Sequence, residues 1–210
     1  MNKRIGCTSI FALRAPALIG AVLLLILSPL LLQAQFISMP VDLSYLSQRA
    51  DVIVQGKIIS VRHENLPGHS NFPTVAVTLE VENMLRGPSD KTYTFRETHF
   101  GVRLKGGKQN YQVGQRLLLF LPAPSQIGLS SPIGFEQGRF HISRNAGGAE
   151  ALVNEVGNAG LFKNVEQKAS KLGKRLTPDQ SRTASTKAGP VRLDDFVSLT
   201  RSLMTLPRIQ

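Results

Sequence analysis

Thr74-Val75-Ala76-Val77-Thr78-Leu79-Glu80-Val81-Glu82-Asn83-Met84 carries the clearest periodicity in the chain. Val75, Val77, Leu79 and Val81 alternate with Thr74, Ala76, Thr78, Glu80 and Glu82, so successive side chains would fall on opposite sides of an extended backbone. The pattern predicts a strand with one face buried and the other in water. Upstream, Val52-Ile53-Val54-Gln55-Gly56-Lys57-Ile58-Ile59-Ser60-Val61 is β-branched and also reads as a strand. Gly56 in its middle predicts a bulge or a sharp bend. Between the two, Arg62 to Pro73 contains Pro67-Gly68 and polar residues and reads as a long loop.

Downstream, Leu85-Arg86-Gly87-Pro88 stops the strand, and Lys91 to Arg96 is a third strand with Tyr93 and Phe95 on one face. Gly101 to Asn110 is a Gly- and Lys-rich loop. Arg116-Leu117-Leu118-Leu119-Phe120-Leu121 is too short for a typical helix, and the flanking Gly114 and Pro122 favour a central strand buried on both faces. Gly138 to Ile142 reads as a fifth strand, and Ala151 to Val156 as a short hairpin partner for it. Before the first strand, Asp42 can cap a short helix running to Ala50, with Leu43, Leu46 and Ala50 on one face. Eighteen glycines, 12 prolines and no tryptophan suit a chain of strands and turns.

The two ends of the chain read differently from this centre. Lys3, Arg4 and Arg14 precede an apolar run from Ala15 to Leu32 that closes on Gln33-Ala34-Gln35. This order of basic, apolar and small-residue segments is that of a secretory signal, residues 1–34, and it predicts a periplasmic or extracellular protein. Cleavage is expected after Ala34; an uncleaved anchor is the rival reading, since the run approaches the length that spans a bilayer. Cys7 lies before the run, so the mature chain has no cysteine and must hold its fold without a disulfide. Residues 163–189 are rich in Lys, Ser, Thr and Gln and read as a solvated basic linker. Residues 190–210 regain helical spacing at Leu193, Phe196, Val197, Thr200, Leu203 and Met204, with Asp194 and Asp195 in the first turn, and predict a docked amphipathic helix. The net charge of +11 is unevenly shared. Residues 35–162 hold 12 basic and 10 acidic groups, and residues 163–210 hold 10 and 4. Any attraction to an anionic surface would therefore act through residues 163–189.

Four segments, in order, carry a resemblance. They are Ala50-Asp51-Val52-Ile53-Val54-Gln55-Gly56-Lys57-Ile58; Val81-Glu82-Asn83-Met84-Leu85-Arg86-Gly87; Val113-Gly114-Gln115-Arg116-Leu117-Leu118-Leu119-Phe120-Leu121; and Gly138-Arg139-Phe140. Together with Pro190 to Phe196, the chain resembles a family of exported bacterial small β-barrel domains. Related modules precede zinc peptidases in some members. The resemblance implies a small closed antiparallel barrel of five to six strands over residues 35–162, like oligonucleotide/oligosaccharide-binding and netrin-like folds. It carries no chemistry with it. This chain lacks a zinc-peptidase motif and an N-terminal cysteine on its mature form, so neither peptidase activity nor netrin-like protease inhibition transfers. Glu97 to Gly101 stands where relatives have a Gly-rich turn.

Candidate chemistry is sparse. His63, His69, His99 and His141 could suggest a metal-dependent hydrolase, but no two have the spacing of a chelating pair, and separate loop and strand histidines explain them better. No Gly-x-Ser-x-Gly elbow and no mature cysteine is present for nucleophilic catalysis. Glu80 and Glu82 share a strand face and read as surface charge rather than as a glycosidase pair. Asp194 and Asp195 point about 100° apart on a helix and favour its dipole. Gly101 to Lys108 lacks the ending of a nucleotide loop, and Tyr93 with Phe95 reads as core rather than as a base-stacking platform. The sequence therefore predicts no catalytic, cofactor or metal residues. Its reading is a non-enzymatic exported domain binding an envelope protein or polymer and no nucleic acid. Two other readings stay open: the histidine-based hydrolase, and an envelope-surface protein held by its basic segment.

Overall fold

In a computed structural model, residues 41–98, 111–144 and 147–207 are described. All of them belong to one compact unit. The segment read as a signal lies outside the described residues, as do His99 and the loop 101–108. The elements are α1 (Leu43–Arg49), β1 (Val52–Asn65), β2 (Pro73–Arg86), β3 (Thr92–Thr98), β4 (Arg116–Leu121), a 3₁₀ turn (Phe135–Gln137), β5 (Arg139–Arg144), β6 (Glu150–Asn154), α2 (Val165–Lys171), α3 (Pro178–Ala184), β7 (Val191–Arg192) and α4 (Leu193–Met204). Among the described residues no helix is long and apolar enough to cross a membrane.

The protein is mainly β. Seven strands form one antiparallel sheet in the order β3-β2-β1-β4-β5-β6-β7. This corrects the expectation of a closed barrel of five to six strands. A strand has only two hydrogen-bonding edges, and those of β5 are taken by β4 and β6. β3 and β7, the end strands of this order, do not pair, so the sheet stays open. It nevertheless curls. β3 comes against the segment before β4, where Phe95 and Tyr111 meet edge-on at 5.5 Å. The seam is held by a loop instead of a strand, the Ser130 N–H donating to the Arg96 carbonyl at 2.7 Å.

Alternation along β1 and β4 divides the core in two. Ile53, Leu118 and Phe120 face the helices, where they join Phe140, Leu152, Phe196 and Leu203. Val52, Val54, Leu117, Leu119 and Leu121 face the inside of the curl, with Val77, Leu79 and Phe95. The run Leu117–Leu121 is fully buried, as a strand covered on both faces must be. The wet face expected for β2 is only partly wet: Thr74 and Ala76 are also buried. Thr74 satisfies its hydroxyl by donating to the Glu64 carbonyl at 2.8 Å and accepting from Arg96 at 3.0 Å. The loop expected from Arg62 is shorter, because β1 continues to Asn65 and pairs His63 with Val75 and Glu64 with Thr74. Backbone pairing needs no apolar side chains, so hydropathy alone gives no sign of it.

The helices account for several sequence signals. The Asp42 carboxylate accepts from the Tyr45 N–H at 2.9 Å and caps α1, whose Leu43, Leu46 and Ala50 are buried. Arg86 donates to the Ser47 and Ala50 carbonyls at 2.8 and 2.6 Å, placing a cation on the C-terminal end of α1. Where a solvated linker is expected, residues 163–189 form α2 and α3. Val165 and Ala169, one turn apart, are both fully buried in the helix-side core. Thr177 and Gln180 form a capping box with Pro178 at the first helical position. Leu176 and Ala184 also pack against that core, although the composition of the segment is that of a linker. Leu161 and Phe162 join the same core, so the fold continues across the boundary expected at residue 162.

Candidate functional site

Between α4 and the sheet lies a cleft of about 680 Å³. Its helical wall carries Leu193, Asp194, Val197, Ser198, Arg201 and Ser202, and its sheet wall carries Gln55, Glu82, Asn83 and Glu150. Period two explains how these polar groups reach the helix-covered face. Gln55 stands opposite Leu118 in register, Arg116 is two residues before Leu118, and Glu150 is two before Leu152. Both leucines belong to the helix-side core, so the three polar residues extend the same rows beyond its edge. Gln180 of α3 closes one end, its amide donating to Ser198 Oγ at 3.0 Å and Ser202 Oγ at 2.9 Å.

An ion-pair network braces the sheet wall. Arg116 holds Glu82 in a two-pronged contact, Nε to Oε1 at 2.7 Å and Nη2 to Oε2 at 2.6 Å. Its Nη1 pairs with Glu150, which Arg144 also reaches at 3.3 Å. Gln55 donates to Glu82 at 3.0 Å. Hydrogen bonding from Arg116 holds both glutamates below the ordinary carboxylate value of 4.5, against the opposing effect of desolvation. The same two carboxylates push the Arg116 pKa up. Because the folded-state glutamate values are lowered, these pairs stabilise the protein fully above about pH 5, and that stability is lost as pH falls through the lowered values. Replacing Arg116 with Met is expected to cost about 1–2 kcal/mol at pH 7, modest because the pair is partly in water. The gap in melting temperature between native and variant protein should narrow below about pH 4. A gap of equal size at pH 3 and pH 7 would show that Arg116 acts through packing alone.

A second polar group sits on the seam of the curled sheet. Tyr111 donates to Glu97 at 3.1 Å, and the buried Arg139 guanidinium lies 5.1 Å from the Tyr111 ring centroid. Arg139 Nη2 also lies 3.6 Å from Glu155, which accepts a 2.6 Å contact from His141. Burial raises the pKa of Glu97 and, more strongly, that of Tyr111. Glu97 does not line the cleft. Glu82 and Glu150, which do, are held ionised and paired, and offer no proton at neutral pH.

The three histidines among the described residues are not brought into one site. His63 lies on the distal part of β1, His69 beside Phe72 in the turn that follows, and His141 on β5 against Glu155. Among the described residues no three His, Cys, Asp or Glu side chains are grouped to hold a metal ion. Glu80 is exposed and stands opposite Lys57, whereas Glu82 joins the network; shared strand parity does not reveal that difference. Asp195 lies 3.7 Å from Arg192, and Asp194 enters the cleft. Arg116, Glu150, Ser198 and Arg201 carry no site signal in the sequence. Their partners lie on other elements, 34 residues away for both Arg116 pairs. The available sign was parity with buried leucines on β4 and β6.

The residues of the resembling motifs serve the fold. Arg86 caps α1, Gly114 donates its N–H to the Ile58 carbonyl at 2.8 Å, Gly138 packs where no side chain fits, and Phe140 is core. No family model matches the chain and no curated protein matches it, so its function is read from this geometry.

Proposed function

We propose that this chain is an exported, non-catalytic binding domain of the cell envelope whose ligand occupies the cleft between α4 and the sheet. One observation carries the reading: a cleft of ligand size whose sheet-borne carboxylates are locked in ion pairs. Such a wall presents fixed hydrogen-bonding groups without an acid or base poised for proton transfer. The basic and apolar N-terminal run supports the envelope location, and the resemblance to exported β domains agrees with it.

The test is ligand-observed NMR with the purified chain against amino acids, short peptides, simple sugars and phosphate esters. At least one class should bind the native protein, and the exposed substitution Ser198→Trp should abolish that binding by filling the cleft. Binding unchanged in Ser198→Trp, or turnover of a bound compound, would overturn the reading.

A further inference from the structure

We propose that the cleft takes a short peptide with free ends, its ammonium group at Asp194 and its carboxylate at Arg201; this rests on the binding reading above. The charges around the cleft fall into those already engaged and those still open. On the sheet wall, Glu82 and Glu150 are balanced by Arg116 and Arg144, and four opposed charges leave no net field to attract a strongly charged polymer. On the helix wall, Asp194 and Arg201 are exposed, and neither has an ion-pair partner among the described residues. Among the described residues Arg201 makes only a long 3.4 Å contact, donating to the Asn83 side-chain oxygen Oδ1.

The spacing of these two charges selects the ligand. Seven residues separate them, close to two full helical turns, so both project on the same side of α4 about 10 Å apart along its axis. A free amino acid is too short to reach both. An extended tripeptide spans about 10 Å. Ser198, four residues after Asp194, lies between them on the same side. Its hydroxyl and the Asn83 amide offer a donor and an acceptor to peptide groups. Among the described residues the apolar lining comes from Leu193 and Val197, which suits small side chains.

Calorimetry with the purified full chain tests this with trialanine, N-acetyl-trialanine and trialanine amide. Trialanine should bind with a Kd of about 0.3 mM, the affinity usual for a ligand of its atom count. Blocking either end should weaken binding about tenfold. Arg201→Gln should erase the preference for a free carboxylate and keep that for a free amine; Asp194→Asn should do the reverse. Equal binding of free and blocked peptides would overturn the assignment. If trialanine fails while another compound class binds and Ser198→Trp abolishes it, the peptide assignment falls and the binding cleft stands. If nothing binds in a Ser198-dependent way, both fall.

Discussion

Replacing Phe196 with alanine is expected to cost about 3–5 kcal/mol. Phe196 is fully buried. Its ring lies 5.0 Å from that of Phe140 on β5, 6.3 Å from Phe120 on β4 and 6.3 Å from Phe162 in the segment before α2. These are tilted or edge-on contacts, the arrangements aromatic quadrupoles favour, and each adds to the area buried. The cluster bolts α4 to the sheet at the point where two strands and a loop converge. Removing it leaves a cavity that β4 and β5, paired on both edges, cannot collapse to fill. Small domains are stable by about 5–15 kcal/mol, so the variant should sit near the limit of folding. Urea denaturation should show a lower midpoint with an unchanged slope. Because one wall of the cleft is α4 itself, ligand binding should weaken in the same variant. A loss below about 1 kcal/mol would mean that α4 is held by something other than this cluster.

The second large effect belongs to Gly56. This glycine lies within β1, paired with Val81 of β2 on one side and Leu117 of β4 on the other. A Cβ added there would stand 2.4 Å from the Glu80 carbonyl oxygen and 3.3 Å from the Leu79 Cβ. The first obstacle is backbone in a paired strand and cannot swing aside as a side chain would. Gly56→Ala should therefore cost about 2–3 kcal/mol through steric strain rather than through its dihedral angles. The pairing of β1 with β2 shifts register between Gln55 and Gly56, so the strain falls where the long strand bends. Gly68→Ala is the control. It lies in the exposed β1–β2 turn at φ +81 with nothing within 4 Å of an added Cβ, and should cost about 1 kcal/mol from its left-handed backbone. Equal losses at the two positions would show that backbone freedom, not space, is the reason for glycine at 56.

By itself the sequence determined the local elements. Val75 to Val81 alternate because every second side chain enters the inner core. Leu117 to Leu121 run unbroken because β4 is covered on both sides. Asp42 marks the start of α1, and Leu193 to Leu203 mark the buried side of α4. Each of these depends on residues within a turn or two of one another. Gly56 also announced a bend, since nothing else tolerates the approach of the Glu80 carbonyl. Tertiary structure alone decided the rest. Whether the sheet closes depends on whether its end strands, β3 and β7, meet, and they do not. Whether residues 163–189 are a tether or two helices depends on a place for Val165 and Ala169 in a core built by strands and helices distant in sequence. The cleft exists only because the register of seven strands and the docking of α4 bring Glu82, Glu150, Asp194 and Arg201 together from separate elements. Hydrogen-bonding edges, core vacancies and long-range charge pairs are properties of the assembled molecule, and no local pattern encodes them.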